Sequence, residues 1–183
     1  SCQRERVETH PGKRNMKTVN SKDGTPIAYH ESGQGPALIL VGGAMGFRKF
    51  SGAVELSGLL SKYFTVINFD RRGRGDSGDA GNYAVSREIE DIAALVKAVG
   101  GSAYLYGMSS GAALSLAAAA EISGIKKLVL YEPPFVGVDK TAHQPPADHK
   151  QQLEALIRQD RRGDAIKFFI TKVMGAPAFL VWF

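Results

Sequence analysis

One cysteine, Cys2, is too few for an internal disulfide, and it stands in a polar stretch that suits no packed redox or metal site. No apolar run reaches the length of a membrane span, and the first residues hold no hydrophobic signal-peptide core. A cytoplasmic chain without a membrane partner is the expectation. Lys and Arg exceed Asp and Glu by 23 to 18. The excess is scattered, however, and part of it crowds the start as Arg4, Arg6, Lys13, Arg14 and Lys17, so no basic stripe with interleaved aromatics marks a nucleic-acid surface. Histidine is scarce too: only His10, His30, His143 and His149 are available as general bases.

What is present is a chain 44% hydrophobic and 22% charged, enough apolar matter for one globular core. Residues 1–15 are charged, aperiodic and broken by Pro11-Gly12, and read as a disordered extension before a core at 16–135. Short β-rich runs then alternate with helical patterns. Lys17 to Asn20 and Pro26 to Glu31 flank Asp23-Gly24, a hairpin signal. "PALILVGG" (Pro36 to Gly43) reads as a strand buried on both faces, and "FTVINFD" as the next. A helix is predicted from an N-cap at Ser86 to Gly100-Gly101, then strand "AYLYGM", helix Ser110 to Ile122, and strand "KKLVLYEP" (Lys126 to Pro133). Strands alternating with helices imply an α/β fold, a mostly parallel central sheet with flanking helices. Over 136–183, two amphipathic helices follow, one carrying Leu153, Leu156 and Ile157, the other Ile166, Phe169, Ile170 and Val173.

"AYLYGMSSGAALSL" runs from an alternating strand into an alanine-rich helix through Gly107-Met108-Ser109-Ser110-Gly111. With 21 glycines in the chain the bare spacing means little, but a strand before it and a helix after it put Ser109 on a tight turn. Side chains at Gly107 or Gly111 would crowd that turn, and the helix N-terminus directs free N–H groups at the serine. An acyl-transfer site needs donors for a developing oxyanion. The backbone N–H of Ser110 is one candidate, and that of Ala44, in the glycine-rich "VGGAMGF", is the other.

In order along the chain, "GGAMG", "DRRGRGDSG", "GMSSG" and "LVLYEPP" resemble the α/β-hydrolase family. The resemblance implies a fold truncated after its sixth strand and the start of a helical cap. It implies a serine-dependent hydrolase of ester-like or related bonds in a small-molecule substrate, with no cofactor and no metal, and it specifies no oligomeric state. Gly42 stands where many relatives carry histidine. Dehalogenation is disfavoured because its nucleophile would be an aspartate. "GRGDSG" also fits a dinucleotide-binding spacing, but the next helical pattern starts too far on to receive a phosphate. Asp70 and Arg71 read as structural, fixing their turn by hydrogen bonds.

The family's acid and histidine usually follow the cap, beyond Phe183. His10 lies in the extension, His30 on the second strand, and His143 and His149 before or at the start of the first cap helix, so each reads as structural, with His143 the nearest stand-in. Glu132 has two readings: a catalytic acid at the end of the sixth strand, or a carboxylate bonded to loop amides or solvent. Without a base, impaired hydrolysis is expected. The alternative is a non-catalytic remnant that binds an apolar ligand or a partner.

Overall fold

The computed structural model describes residues 16–81, 83–134 and 143–181, so the expected extension at 1–15 lies outside the described residues. The chain divides into two compact units, one through Pro134 and one from Phe135. The first is built on strands β1 (Lys17–Asn20), β2 (Pro26–Ser32), β3 (Ala37–Val41), β4 (Thr65–Phe69), β5 (Ala103–Met108) and β6 (Ile125–Tyr131). Their spatial order is β1-β2-β4-β3-β5-β6. β1 pairs antiparallel with β2 and β2 with β4, while β4, β3, β5 and β6 run parallel. The hairpin turns at Asp23-Gly24: Gly24 has φ 85°, and its N–H donates to the Ser21 carbonyl at 3.0 Å.

Alternation along β3 divides the core between two faces. Ile39 and Val41 join Ile67, Leu105 and the inward residues of α2 (Val85–Ala98) and α3 (Ser110–Glu121), among them Ile92, Leu95 and Leu114. Leu38 and Leu40 point the other way, to Leu56 and Leu60 of α1 (Ser51–Leu60). Each large apolar side chain so buried stabilises the fold by ~1.5–3 kcal/mol relative to exposure. On the same face of the sheet Met108, Val129 and Tyr131 are exposed.

α2 begins at Val85 with an extended Ala84 before it and no side-chain cap, so Ser86 is not the N-cap its sequence suggests. Buried ion pairs of Glu88 with Arg71 and of Asp91 with Arg72 fix the helix instead. β6 ends at Tyr131, and Glu132 leaves it in a left-handed conformation, φ 47°. The strand read through Pro133 is thus shorter by two residues. In the second unit α4 (His149–Arg158) and α5 (Arg162–Phe168) form as expected, but Phe169–Val173 is a π-turn and not α-helix. Thr171 Oγ1 takes the Lys167 carbonyl at 2.7 Å, the acceptor its own amide would use in an α-helix. The wider turn closes with Met174 N–H on the Phe169 carbonyl at 2.9 Å.

Candidate active site

Ser109 occupies the single residue between β5 and α3, with φ 53° and ψ −123°. A non-glycine residue there stores ~1–3 kcal/mol of backbone strain, tolerated only where the surroundings enforce it. They do. Its N–H donates to the Tyr131 carbonyl at 2.9 Å and its carbonyl accepts the Ala112 N–H at 2.8 Å. The glycines on either side explain themselves by close approach. A Cβ on Gly107 would lie 2.6 Å from the Gly111 carbonyl oxygen, and one on Gly111 would lie 2.2 Å from that of Val41.

The loop after β3 sits directly against the serine: a Cβ on Gly43 would fall 3.1 Å from Ser109 Cβ and 3.7 Å from Oγ. Gly43 to Gly46 form a β-turn closed by Gly46 N–H on the Gly43 carbonyl at 3.2 Å, with Met45 left-handed at φ 60°. Turn corners leave their amides pointing outward. The Ala44 N–H finds no acceptor among the described residues, and the Ser110 N–H, at the first position of α3, has no intrahelical partner. Against the same loop lies a cavity of about 190 Å³ lined by Gly42, Gly46, Phe47, Phe50, Arg71 and Met108 among others.

The segment from Asp70 to Gly78 clamps these parts together. Asp70, fully buried, accepts the Arg48 N–H at 2.7 Å, the Asp76 N–H at 2.9 Å and the Arg48 guanidinium. Arg72 pairs with Asp91 at 2.6 Å and Asp23 at 2.9 Å, joining α2 to the hairpin. Arg71 does more than fix a turn. Its fork holds both oxygens of Glu88, at 2.5 and 2.6 Å, while Nη1 reaches the Gly42 carbonyl at 3.1 Å and Ser110 Oγ at 3.2 Å. Arg74 Nη1 donates to the Gly43 carbonyl at 2.7 Å and that of Gly46 at 3.3 Å. The sequence reading missed this pair of arginines on the glycine loop. The only trace of it was two glycine-rich segments, one of them crowded with cations.

Glu132 is exposed and makes no hydrogen bond or ion pair with a described residue, yet it directly follows the Tyr131 carbonyl that holds the elbow. His143 Nε2 lies 2.8 Å from the Lys172 carbonyl and His149 Nδ1 2.7 Å from that of Pro146, each within the second unit. His30 is on β2, three strands from β5, and His10 is outside the described residues. Ser109 Oγ makes no hydrogen bond with a described residue. The described residues hold no cluster of His, Cys, Asp or Glu fit for a metal ion and no helix long and apolar enough to cross a membrane.

Residues 38–182 match the alpha/beta hydrolase family. The chain belongs to it. An alpha/beta hydrolase from Sphaerobacter thermophilus is 52% identical and superposes with a TM-score of 0.85, over 90% of this chain and 63% of its own. N-formylmaleamate deformylase from Pseudomonas putida is 37% identical over 115 residues, 61% of this chain and 42% of the deformylase. The esterase RhEst1 from a Rhodococcus species is 26% identical, with a TM-score of 0.54 over 63% of this chain and 44% of its own.

In this alpha/beta hydrolase the charged clamp has a signature in acid. Burial pushes the Glu88 carboxyl up, but hydrogen bonds from Arg71 and Tyr83 outweigh it and hold the group below the usual carboxylate range. A carboxylate depressed in the folded state contributes stability that is complete above its unfolded value, ~4.3, and is lost as pH falls through the folded value. Melting temperature should therefore be flat from neutral pH to about 5 and fall below about 4. Glu88→Gln should shrink that acid slope, and an unchanged slope would show that the pair with Arg71 contributes nothing.

Proposed function

We propose that this chain carries the nucleophile and oxyanion cradle of a serine hydrolase acting on ester-like or related bonds of small, partly apolar substrates in the cytoplasm. The observation that carries the reading is Ser109, held in a strained turn against a glycine loop with its hydroxyl bonded to no described residue. Ser109 Oγ attacks the substrate carbonyl carbon while its proton passes to a base. The carbonyl oxygen, now negative, is received by the N–H groups of Ala44 and Ser110. Collapse expels the alcohol or amine, which takes up the proton, and water then releases the acyl group. The apolar cavity lined by Phe47 and Phe50 suits the acyl part. Glu132, beside the elbow, is the proposed acid that would orient the base, and the helices after residue 135 are the proposed start of the cap.

In the first unit no described histidine or carboxylate hydrogen-bonds Ser109 Oγ, so the proton has no ready destination there. Removal of the base from a related serine enzyme costs ~10⁶-fold in turnover, leaving a residual rate from binding and the oxyanion hole. Purified chain assayed on short activated esters beside Ser109→Ala should accordingly show little turnover. A form extended to its relatives' length should react with a serine-directed phosphonate at Ser109. An adduct on Ser110 with Ser109 unmodified sinks the assignment. A robust rate in the 183-residue chain that Ser109→Ala abolishes would place a base within it, and His143→Ala and His149→Ala would locate that base. That no described residue bonds the Ser109 hydroxyl also favours a second reading, a non-catalytic remnant binding an apolar ligand, which that robust rate would end.

A further inference from the structure

The Gly43–Ala44 peptide is planar and trans, so its C=O and N–H point in opposite directions and fixing one fixes the other. The Gly43 carbonyl is fixed twice. It accepts the Gly46 N–H across the turn at 3.2 Å and Arg74 Nη1 at 2.7 Å. The same Arg74 nitrogen lies 3.3 Å from the Gly46 carbonyl and so spans both ends of the turn. We propose that Arg74 is a positioning residue which, through the Gly43 carbonyl, aims and polarises the Ala44 N–H as an oxyanion donor; this rests on the serine-hydrolase reading of the site.

Two observations separate this role from simple loop packing. Among the described residues no carboxylate pairs with Arg74, whereas Arg48, Arg71 and Arg72 each hold at least one. Its charge therefore has no direct ion-pair partner, only the longer-range attraction of Glu88, which already holds Arg71. Burial and the neighbouring Arg71 cation both weigh against that charge and lower its proton affinity. A cation kept under those conditions, with peptide carbonyls as its acceptors, polarises the peptide it touches and strengthens the N–H on the far side, because hydrogen bonds in series reinforce one another. It also places positive charge behind the position where an oxyanion would form. Arg71 performs the parallel task one peptide earlier, on the Gly42 carbonyl, but its charge is matched by Glu88.

The test uses the 183-residue chain and two readouts. In nitrogen-resolved amide spectra, Arg74→Met should move the Ala44 proton resonance upfield and, because a less polarised N–H is less acidic, slow its base-catalysed hydrogen exchange several-fold, with melting temperature lowered by only a few degrees. Arg74→Lys, which restores the charge but not the planar fork, should recover part of both changes. An Ala44 amide that neither shifts nor exchanges more slowly in Arg74→Met overturns the proposal, whatever the serine does. The second readout is acylation of Ser109 by p-nitrophenyl acetate, followed by mass spectrometry over hours. Arg74→Met should slow the maximal acylation rate about ten-fold with little change in half-saturation. Equal maximal rates would overturn the oxyanion role. Should Ser109 acylate neither in the parent chain nor in a form extended to its relatives' length, the serine-hydrolase reading fails, and the Ala44 amide still decides whether Arg74 directs it.

Discussion

Asp70→Ala is expected to destabilise the first unit by ~3–5 kcal/mol, the cost of breaking a buried ion pair from one side. Asp70 is 0% exposed and Arg48 2%. Removing the carboxylate strands the Arg48 guanidinium, whose remaining partner, Asp76, is 43% exposed. It also leaves the amides of Arg48 and Asp76 without their acceptor. Domains of this size are stable by only ~5–15 kcal/mol, so the loss takes a large share. Urea denaturation should show the midpoint drop with little change in slope. Asp70→Asn, which keeps the shape and one acceptor oxygen, should fall between. A loss under about 1 kcal/mol in Asp70→Ala would mean that solvent reaches Arg48 readily, against its burial.

Gly111→Ala should be comparably severe for a steric reason. The added methyl would lie 2.2 Å from the Val41 carbonyl oxygen and 2.6 Å from that of Gly42, both backbone atoms that no rotamer change can move. α3 must then lift from the end of β3. Overpacking of this kind costs ~1–3 kcal/mol where side chains can yield and more where they cannot. We expect at least about 3 kcal/mol, and loss of whatever reactivity Ser109 has, since its turn and the glycine loop separate together. Gly58→Ala is the matched control. Nothing lies within 4 Å of a Cβ there on α1, and helix propensity should make it stabilising by up to ~1 kcal/mol. Equal melting temperatures for the two variants would refute the close-approach account.

Features written in neighbouring residues were legible before the structure. The Asp23-Gly24 hairpin, the doubly buried β3, and the passage from alternating β5 through Ser109 to the alanines of α3 each have a local cause. So the α/β class and the serine's turn could be read directly. Partnerships between distant segments leave no such trace. Arg74 and Gly43 are 31 residues apart, and nothing in "DRRGRGDSG" says which carbonyl each arginine will find. The start of α2 was misplaced for the same reason: Ser86 has the chemistry of a cap, but the buried pairs of Glu88 and Asp91 decide the helix's position. The π-turn after Phe168 was hidden because its apolar spacing matches an α-helix, while the Thr171 hydroxyl redirects the backbone.

β6 lies at the margin of the sheet, paired with β5 on one side only among the described residues. Its last carbonyl, that of Tyr131, is the acceptor that secures Ser109. The posture of the serine is thus tied to a strand at the sheet's edge, so opening of β6 and relaxation of the Ser109 turn should be one event in hydrogen exchange. Anything that adds a strand along that margin would stiffen the serine's turn from a distance, without touching Ser109 itself.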